Sequence, residues 1–280
     1  MCSAFIIIPV KTCLTIIDPR EFKGLPRNHV EQALALFDAV SIKFLDGYKK
    51  LDLGPRTAFV KTLRKHGVEV HGWGWVRART KAEATLEARA AAAICNALKL
   101  DAWYINSEKD WAGVEGAPRT PDPYGCLDTY ITEFNAACNI TRLVYNGFSW
   151  SNTSRKAGRR KLHDRDMITR LWGWCPMVYG TNPRVVAAQF PLRVNKYKID
   201  ETRVTKMAMV GCGRVAKDGA IWGRWVDDKA RDVKGTKTLL LENHVEWVCF
   251  FFGNGARDQL LTGHIWHPPL IQCVRELKAA

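Results

Sequence analysis

The sequence predicts an α/β protein folded as a single-domain (β/α)8 barrel. Eight short apolar runs alternate with helical stretches, the order that builds a parallel sheet with crossover helices. The length of 280 residues accommodates one barrel of about 250 residues as readily as two smaller domains. A doubly wound open sheet would carry a glycine-rich phosphate turn after an early strand, and none is present. With 47% hydrophobic and 25% charged residues, the composition is that of a chain with a large buried core and not of a disordered tail.

The expected strands run from Cys13 to Asp18, Ala39 to Gly47, Val68 to Val76, Ala102 to Glu108, Arg142 to Phe148, Leu171 to Tyr179, Lys206 to Gly213 and Trp247 to Gly253. The clearest helix covers Lys81 to Leu98, an Ala-rich stretch laced with Glu and Arg. Its intrinsic propensity is high, and Thr80 with Glu83 forms an S/T-x-x-E capping box at its start. His29 to Phe37, Pro55 to His66 and Leu127 to Asn139 are amphipathic with the same period. Gly67 supplies a stop for the second of these.

Two segments exceed the minimal repeating unit. Ser151 to Asp166 holds six Lys and Arg against two Asp, and residues 214–246 form a long insertion before the last strand, with Trp222 and Trp225 inside it. Both follow barrel strands, which puts them on the C-terminal face where barrel enzymes keep their active sites.

The N-terminal apolar stretch lacks a basic leader and is interrupted by Pro9 and Lys11. It reads as a buried first strand, with no classical signal peptide and no membrane span. The nine Cys are odd in number and scattered, with neither C-x-x-C nor zinc spacing, so reduced thiols in a reducing cytosol are expected. No metal and no cofactor is expected. His264 and His267 have no third ligand nearby in sequence.

Side chains two apart on a strand share a face. In Asp101-Ala-Trp-Tyr-Ile-Asn-Ser-Glu108 this sets Tyr104, Asn106 and Glu108 on one face, and Trp103, Ile105 and Ser107 on the other. A carboxylic acid at the end of a central strand, with an amide one layer below, has what a general acid needs: partial desolvation to raise its pKa and a neighbour to orient it.

The spacing Asp101-x-x-Tyr104-x-Asn106-x-Glu108 resembles the D-x-x-D-x-D-x-E strand of the family 18 chitinases, which ends in their catalytic acid on strand four. Asn106 stands where that family has Asp, and N-x-E at this place is similar to the family 85 endo-N-acetylglucosaminidases. The family 25 lysozymes are similar as well, with D-x-E at the same strand end and an Asp on strand one, where this chain has Asp18. Pro176-Met-Val-Tyr179 resembles the M-x-Y-D motif of family 18, with Gly180 in place of the Asp.

The resemblance implies a glycoside hydrolase cutting a β-1,4 linkage in an N-acetylated glycan, bacterial peptidoglycan above all, as a phage endolysin or virion-associated lysin. Glu108 would be the general acid/base, while Asn106 and Tyr179 would hold the 2-acetamido group whose oxygen attacks the anomeric carbon, one of the exceptions to the two-carboxylate rule. Asp18, Asp46 and Asp110 are the candidates for the second carboxylate that a lysozyme-type route would use. The 11 Trp then gain a role, because a flat indole complements the apolar face of a sugar ring. Trp73, Trp75, Trp111 and Trp150, with Tyr145, are the expected substrate-binding aromatics.

The 42 Lys and Arg against 28 Asp and Glu leave a net charge of +14. An anionic glycan polymer fits that charge. Nucleic acid fits it less well, since no recognition motif accompanies it. A lysin would reside in the host cytoplasm before release, or in the virion with virion proteins as partners. The alternative reading is a non-catalytic barrel, a structural or glycan-binding component of a virion or other assembly.

Overall fold

The computed structural model describes residues 9–22, 31, 36–107, 121–139, 141–148, 170–177, 205–211, 237–238, 240–242, 244–251 and 268–279. Every one of the eight expected strands is there: β1 (Lys11–Ile16), β2 (Ala39–Asp46), β3 (Glu69–Trp75), β4 (Ala102–Ser107), β5 (Arg142–Phe148), β6 (Gly173–Met177), β7 (Thr205–Gly211) and β8 (Trp247–Phe251). From β2 to β8 each strand pairs in parallel with the next. Strand β1 pairs in parallel with both β2 and β8, and this double pairing closes the sheet. The protein is a (β/α)8 barrel.

The helices are α1 (Leu53–Lys65), α2 (Lys81–Leu98), α3 (Pro123–Ala137) and α4 (Pro268–Ala279). Helix α2 has the expected bounds. Thr80 Oγ1 accepts from the Glu83 N–H at 3.2 Å, while the Glu83 carboxylate reaches back to the N–H of Arg79 at 2.6 Å, one residue earlier than a standard capping box. Helix α1 ends at His66, and Gly67 then takes φ of +70°, the left-handed turn that glycine adopts without strain. Helix α3 starts earlier than its periodicity suggests, because Asp122 caps the Gly125 N–H at 2.9 Å and Pro123 suits the first turn. Most of the helix expected over His29 to Phe37 lies outside the described residues, as do Ser151 to Asp166 and residues 214–236 of the insertion.

Alternation along each strand divides the interior into two layers. Leu14, Ile16, Val40, Ile42, Ile105 and Phe250 face the helices. Cys13, Trp73, Tyr104, Val144, Cys175 and Cys249 fill the lumen. Cys13, Cys95, Cys126, Cys138, Cys175 and Cys249 are buried and outside any disulfide, several of them acting as small apolar strand residues.

The His71-Gly-Trp-Gly-Trp75 run of β3 shows this division at single-residue resolution. His71 and Trp73 point inward, while Gly72 and Gly74 face out and leave room for the indole of Trp103 on neighbouring β4. A Cβ at Gly72 would stand 2.7 Å from Trp103 Cε3 and 2.7 Å from Leu100 Cδ1; one at Gly74 would stand 3.0 Å from Trp103 Cζ2. Trp103 is fully buried there and donates to the Tyr130 hydroxyl of α3 at 3.0 Å. The glycines thus lock sheet to helix layer.

The N-terminal end of the barrel is sealed by charge and aromatic rings. Glu69 accepts from Arg142 and lies 3.5 Å from Lys11 Nζ and 3.3 Å from His71 Nε2. Hydrogen bonding to His71, reinforced by Arg142, holds the Glu69 carboxyl down at about 2. Arg142 lies 4.2 Å from the Trp172 ring centre, and Trp172 meets Trp247 edge-on at 6.2 Å. In barrels, this face serves stability and the other serves chemistry.

Gly72→Ala is therefore expected to destabilise the fold by about 1–3 kcal/mol through overpacking against Trp103, read as a lowered denaturant midpoint with unchanged m-value in equilibrium unfolding. A midpoint equal to that of the wild type would show that Trp103 has room to move.

Candidate active site

Closure brings the C-terminal ends of β1, β3, β4, β5, β7 and β8 around one pocket. Thr15, Trp73, Tyr104, Asn106, Asn146, Met209 and Phe251 line it, and it encloses about 230 Å³ including its open mouth. Asn106 lies two residues before Glu108 on β4, with its side chain in the pocket and 5% exposed. Its register partner on β5 is Asn146, whose Nδ2 donates to the Cys175 carbonyl at 2.8 Å. Two amides from adjacent strands therefore sit side by side in the lumen, Asn146 being fixed by the backbone of β6.

Below them Tyr104 is fully buried. Its hydroxyl is 3.1 Å from His71 Nδ1 and 3.5 Å from Cys249 Sγ, and burial pushes its pKa well up. Tyr104 and His71 are a hydrogen-bonded lumen plug. Asp101, at the foot of β4, accepts from the Val70 N–H at 2.7 Å and pairs with Arg64 at 2.7 Å. It ties β4 to β3 at the far end from the pocket.

Trp73 lies across the lumen, donating to the Ile16 carbonyl at 3.1 Å and meeting Phe251 edge-on at 6.0 Å. Trp75 is half-buried, with Lys43 Nζ 5.2 Å and the Arg77 guanidinium 4.7 Å from its ring centre. Asp46 accepts from Arg77 Nε at 2.6 Å. Asp18 lies beyond the end of β1, where Arg20 engages both carboxylate oxygens and Arg56 approaches to 3.9 Å. The Arg20 hydrogen bond holds the Asp18 carboxyl below its usual range.

Tyr145 is a correction. Asn146 faces the lumen, so its neighbour Tyr145 faces outward, packed in the layer beneath the helices, where its hydroxyl accepts from Ser107 at 2.8 Å. It does not line the pocket. The period of two on β5 selects Asn146 instead, a residue that the sequence reading passed over. Thr15, Met209 and Phe251 were passed over too, because apolar or small lumen residues carry no chemical signature in sequence. Glu108, Asp110, Tyr179, Trp111 and Trp150 lie outside the described residues. Among the described residues, no group of three or more His, Cys, Asp or Glu is placed to hold a metal ion, and no helix is long and apolar enough to cross a membrane.

No protein-family model matches the sequence, and no curated protein sequence does. Solved structures do match in shape. A family 18 chitinase from Pseudoalteromonas aurantia superposes with a TM-score of 0.64 at 11% identity, covering 94% of this chain and 99% of its own. A family 18 N-acetylglucosaminidase from Paenibacillus barengoltzii gives 0.64 at 10% identity, covering 96% and 99%. A spore cortex-lytic enzyme from Bacillus megaterium QM B1551 gives 0.57 at 10% identity, covering 92% and 74%. The chain shares the barrel fold of these glycoside hydrolases.

Glu87 of α2 sets the position of the loop after β3. Its carboxylate accepts from the Arg77 N–H at 3.1 Å and is 3% exposed, and burial lifts its pKa from 4.5 to about 7. The folded state then holds this proton more tightly than the unfolded chain, so the contribution to stability is full below pH 4.5 and falls as pH rises through 7. The expected loss is about 3 kcal/mol at about 1.4 kcal/mol per pKa unit. Unfolding free energies measured between pH 4 and 8 should show this slope in the wild type and a shallower one in Glu87→Gln. Parallel profiles would remove Glu87 as the source.

Proposed function

We propose that the chain is a glycoside hydrolase that cleaves a β-1,4 linkage in an N-acetylated glycan, with bacterial peptidoglycan as the substrate and Glu108 as general acid/base. The observation that carries this is the position of Asn106, buried in the mouth pocket of a closed barrel two residues before Glu108 on β4. Asn106 offers an amide that can orient an acetamido group, and by the two-residue alternation of an extended strand Glu108 is expected on the same face. Solved structures of similar fold, a chitinase and a cortex-lytic enzyme among them, support the class.

In this reading Glu108 donates its proton to the glycosidic oxygen as the bond to the anomeric carbon breaks. The substrate's own acetamido oxygen forms the new bond to that carbon, with Asn106 and Tyr179 polarising the amide. Glu108, now ionised, takes a proton from the water that opens the cyclic intermediate. Asp18 is engaged by Arg20 on both oxygens and Asp46 by Arg77, which favours the acetamido group over either carboxylate as the nucleophile. A phage lysin acting on the host wall is the biological setting that this substrate suggests.

A second reading, a barrel that binds glycan within an assembly without cutting it, draws on Asn106 standing where a family 18 enzyme has Asp. Release of reducing ends from purified peptidoglycan separates the two. Glu108→Gln is expected to lower turnover by at least about 10²-fold, the scale of lost general acid catalysis, with folding intact by circular dichroism. Turnover equal in both proteins would remove Glu108 from the chemistry, and glycan binding without turnover by the wild type would favour the second reading.

A further inference from the structure

Two hydroxyls stand side by side in the lumen, on Thr15 of β1 and Ser41 of β2. The two residues are register partners and each is 1% exposed. Neither hydroxyl oxygen has a hydrogen-bond partner among the described residues. A buried polar atom left in this state destabilises a fold, so such atoms are few and each asks for a reason. The neighbours are committed elsewhere. Phe251, the register partner of Thr15 on β8, has a ring without donor or acceptor, and the Trp73 indole N–H donates to the Ile16 carbonyl at 3.1 Å. His71, the register partner of Ser41 on β3, engages Tyr104 through Nδ1 and Glu69 through Nε2. The Cys13 thiol, two residues before Thr15 on the same face, is kept protonated by burial, and a thiol sulfur is a weak partner.

The two hydroxyls differ in what lies beside them. Thr15 lines the mouth pocket together with Asn106 and Asn146, whereas Ser41 is not part of that lining. In the closed ring β1 stands four strands from β5 in either direction, with β4 next to β5, so Thr15 meets the two amides from across the opening. A polar group that enters between them can be held from both sides. The hydroxyl and methyl of Thr15 exchange places by one step between staggered rotamers, which lets the hydroxyl turn toward what enters. Trp73, Met209 and Phe251 supply the apolar wall, and a mostly apolar pocket with a few placed polar groups is the usual form of a ligand site.

We propose that Thr15 is a substrate-binding residue, giving the sugar in the mouth pocket a hydrogen bond from the β1 side, opposite Asn106 and Asn146. This rests on the glycosidase reading above. The hydroxyl is unsatisfied until a sugar is bound, so the atom that weakens the fold is the one that strengthens binding. Replacing it by a methyl of the same size, as in Thr15→Val, then separates the two effects: binding weakens while the fold is as stable as before or more so. A hydroxyl with a purely structural role gives the reverse.

The test uses soluble glycan strands released from peptidoglycan by an amidase, with cleavage followed by reducing ends and binding by calorimetry. Thr15→Val should raise KM about tenfold, the scale of one lost hydrogen bond. Its kcat should change by less than about threefold, the pattern of a contact made equally in the ground and transition states. Its thermal midpoint should equal or exceed that of the wild type, and Thr15→Ser, which keeps a hydroxyl, should recover most of the lost affinity. Ser41→Ala should leave KM as it is, because that hydroxyl lies off the pocket. An unchanged KM in Thr15→Val overturns the assignment and leaves a glycosidase; with a lowered midpoint it points instead to a buried water bonded within the fold to Thr15 and Ser41. A rise in KM shared by Ser41→Ala overturns it as well, since the effect is then not local to Thr15. Strands bound but not cut by the wild type overturn the glycosidase reading alone, and the same comparison is made on Kd. Strands neither bound nor cut overturn both.

Discussion

Everything in this molecule follows from the closing of the sheet on β1, whose pairing with both β2 and β8 removes the edges that an open sheet would leave. Closure buries both faces of every strand, so each side chain must belong either to the lumen or to the layer beneath the helices. The choice is made by alternation alone, and it decides chemistry. On β4 it sends Tyr104 and Asn106 inward and Trp103 and Ile105 outward. On β5 it sends Asn146 inward and Tyr145 outward. One residue of slip on either strand would exchange an amide-lined pocket for an apolar one.

The two ends of the lumen use charge in opposite ways. At the N-terminal end, Glu69 binds Arg142, Lys11 and His71, so positive and negative groups neutralise one another under a cover of Trp172 and Trp247. Those contacts also hold strands β1, β3 and β5 in register at the base. At the mouth, the carboxylates of Asp18 and Asp46 are bound to arginines, and Lys43 adds a positive group against the two indoles of β3. Among the described residues, the same residue types thus build a plug at one end and line the mouth at the other.

The strands were legible in the sequence because burial on both faces leaves near-continuous apolar runs, which β4, β6 and β8 all show. Helix α2 was legible to the residue, since its Ala-rich stretch and Thr80 cap act locally. The start of α3 was missed by several residues because Asp122 and Pro123, a cap and a first-turn proline, precede the amphipathic pattern. At the site, the face that carries Asn106 could be read from strand parity, but the aromatic at Tyr145 drew attention away from Asn146, which has the right parity. The covering of Trp73 and Trp75 by Lys43 and Arg77 was not legible at all. It depends on lateral register between β2 and β3, including an irregularity between Lys43 and Leu45 that no local pattern announces.

That irregularity also bears on how the rim is built. Past it, Phe44 and Leu45 both pack in the outer layer, and Asp46 comes level with Trp75 instead of lying beyond it. Asp46 can then reach Arg77, the residue that follows Trp75 by two, while Lys43 stays level with Trp73. The chain continues through Gly47, whose N–H donates to the Trp75 carbonyl at 2.7 Å with φ of +63°. A Cβ there would stand 3.2 Å from the Glu87 carboxylate, the same group that accepts from the Arg77 N–H. One extra residue in β2, a glycine that permits the turn and a buried carboxylate on α2 together fix the spacing between Lys43 and Arg77. The placing of Lys43 and Arg77 against the two indoles is in this sense a product of backbone geometry, and these charges stand where the fold, more than their mutual repulsion, puts them.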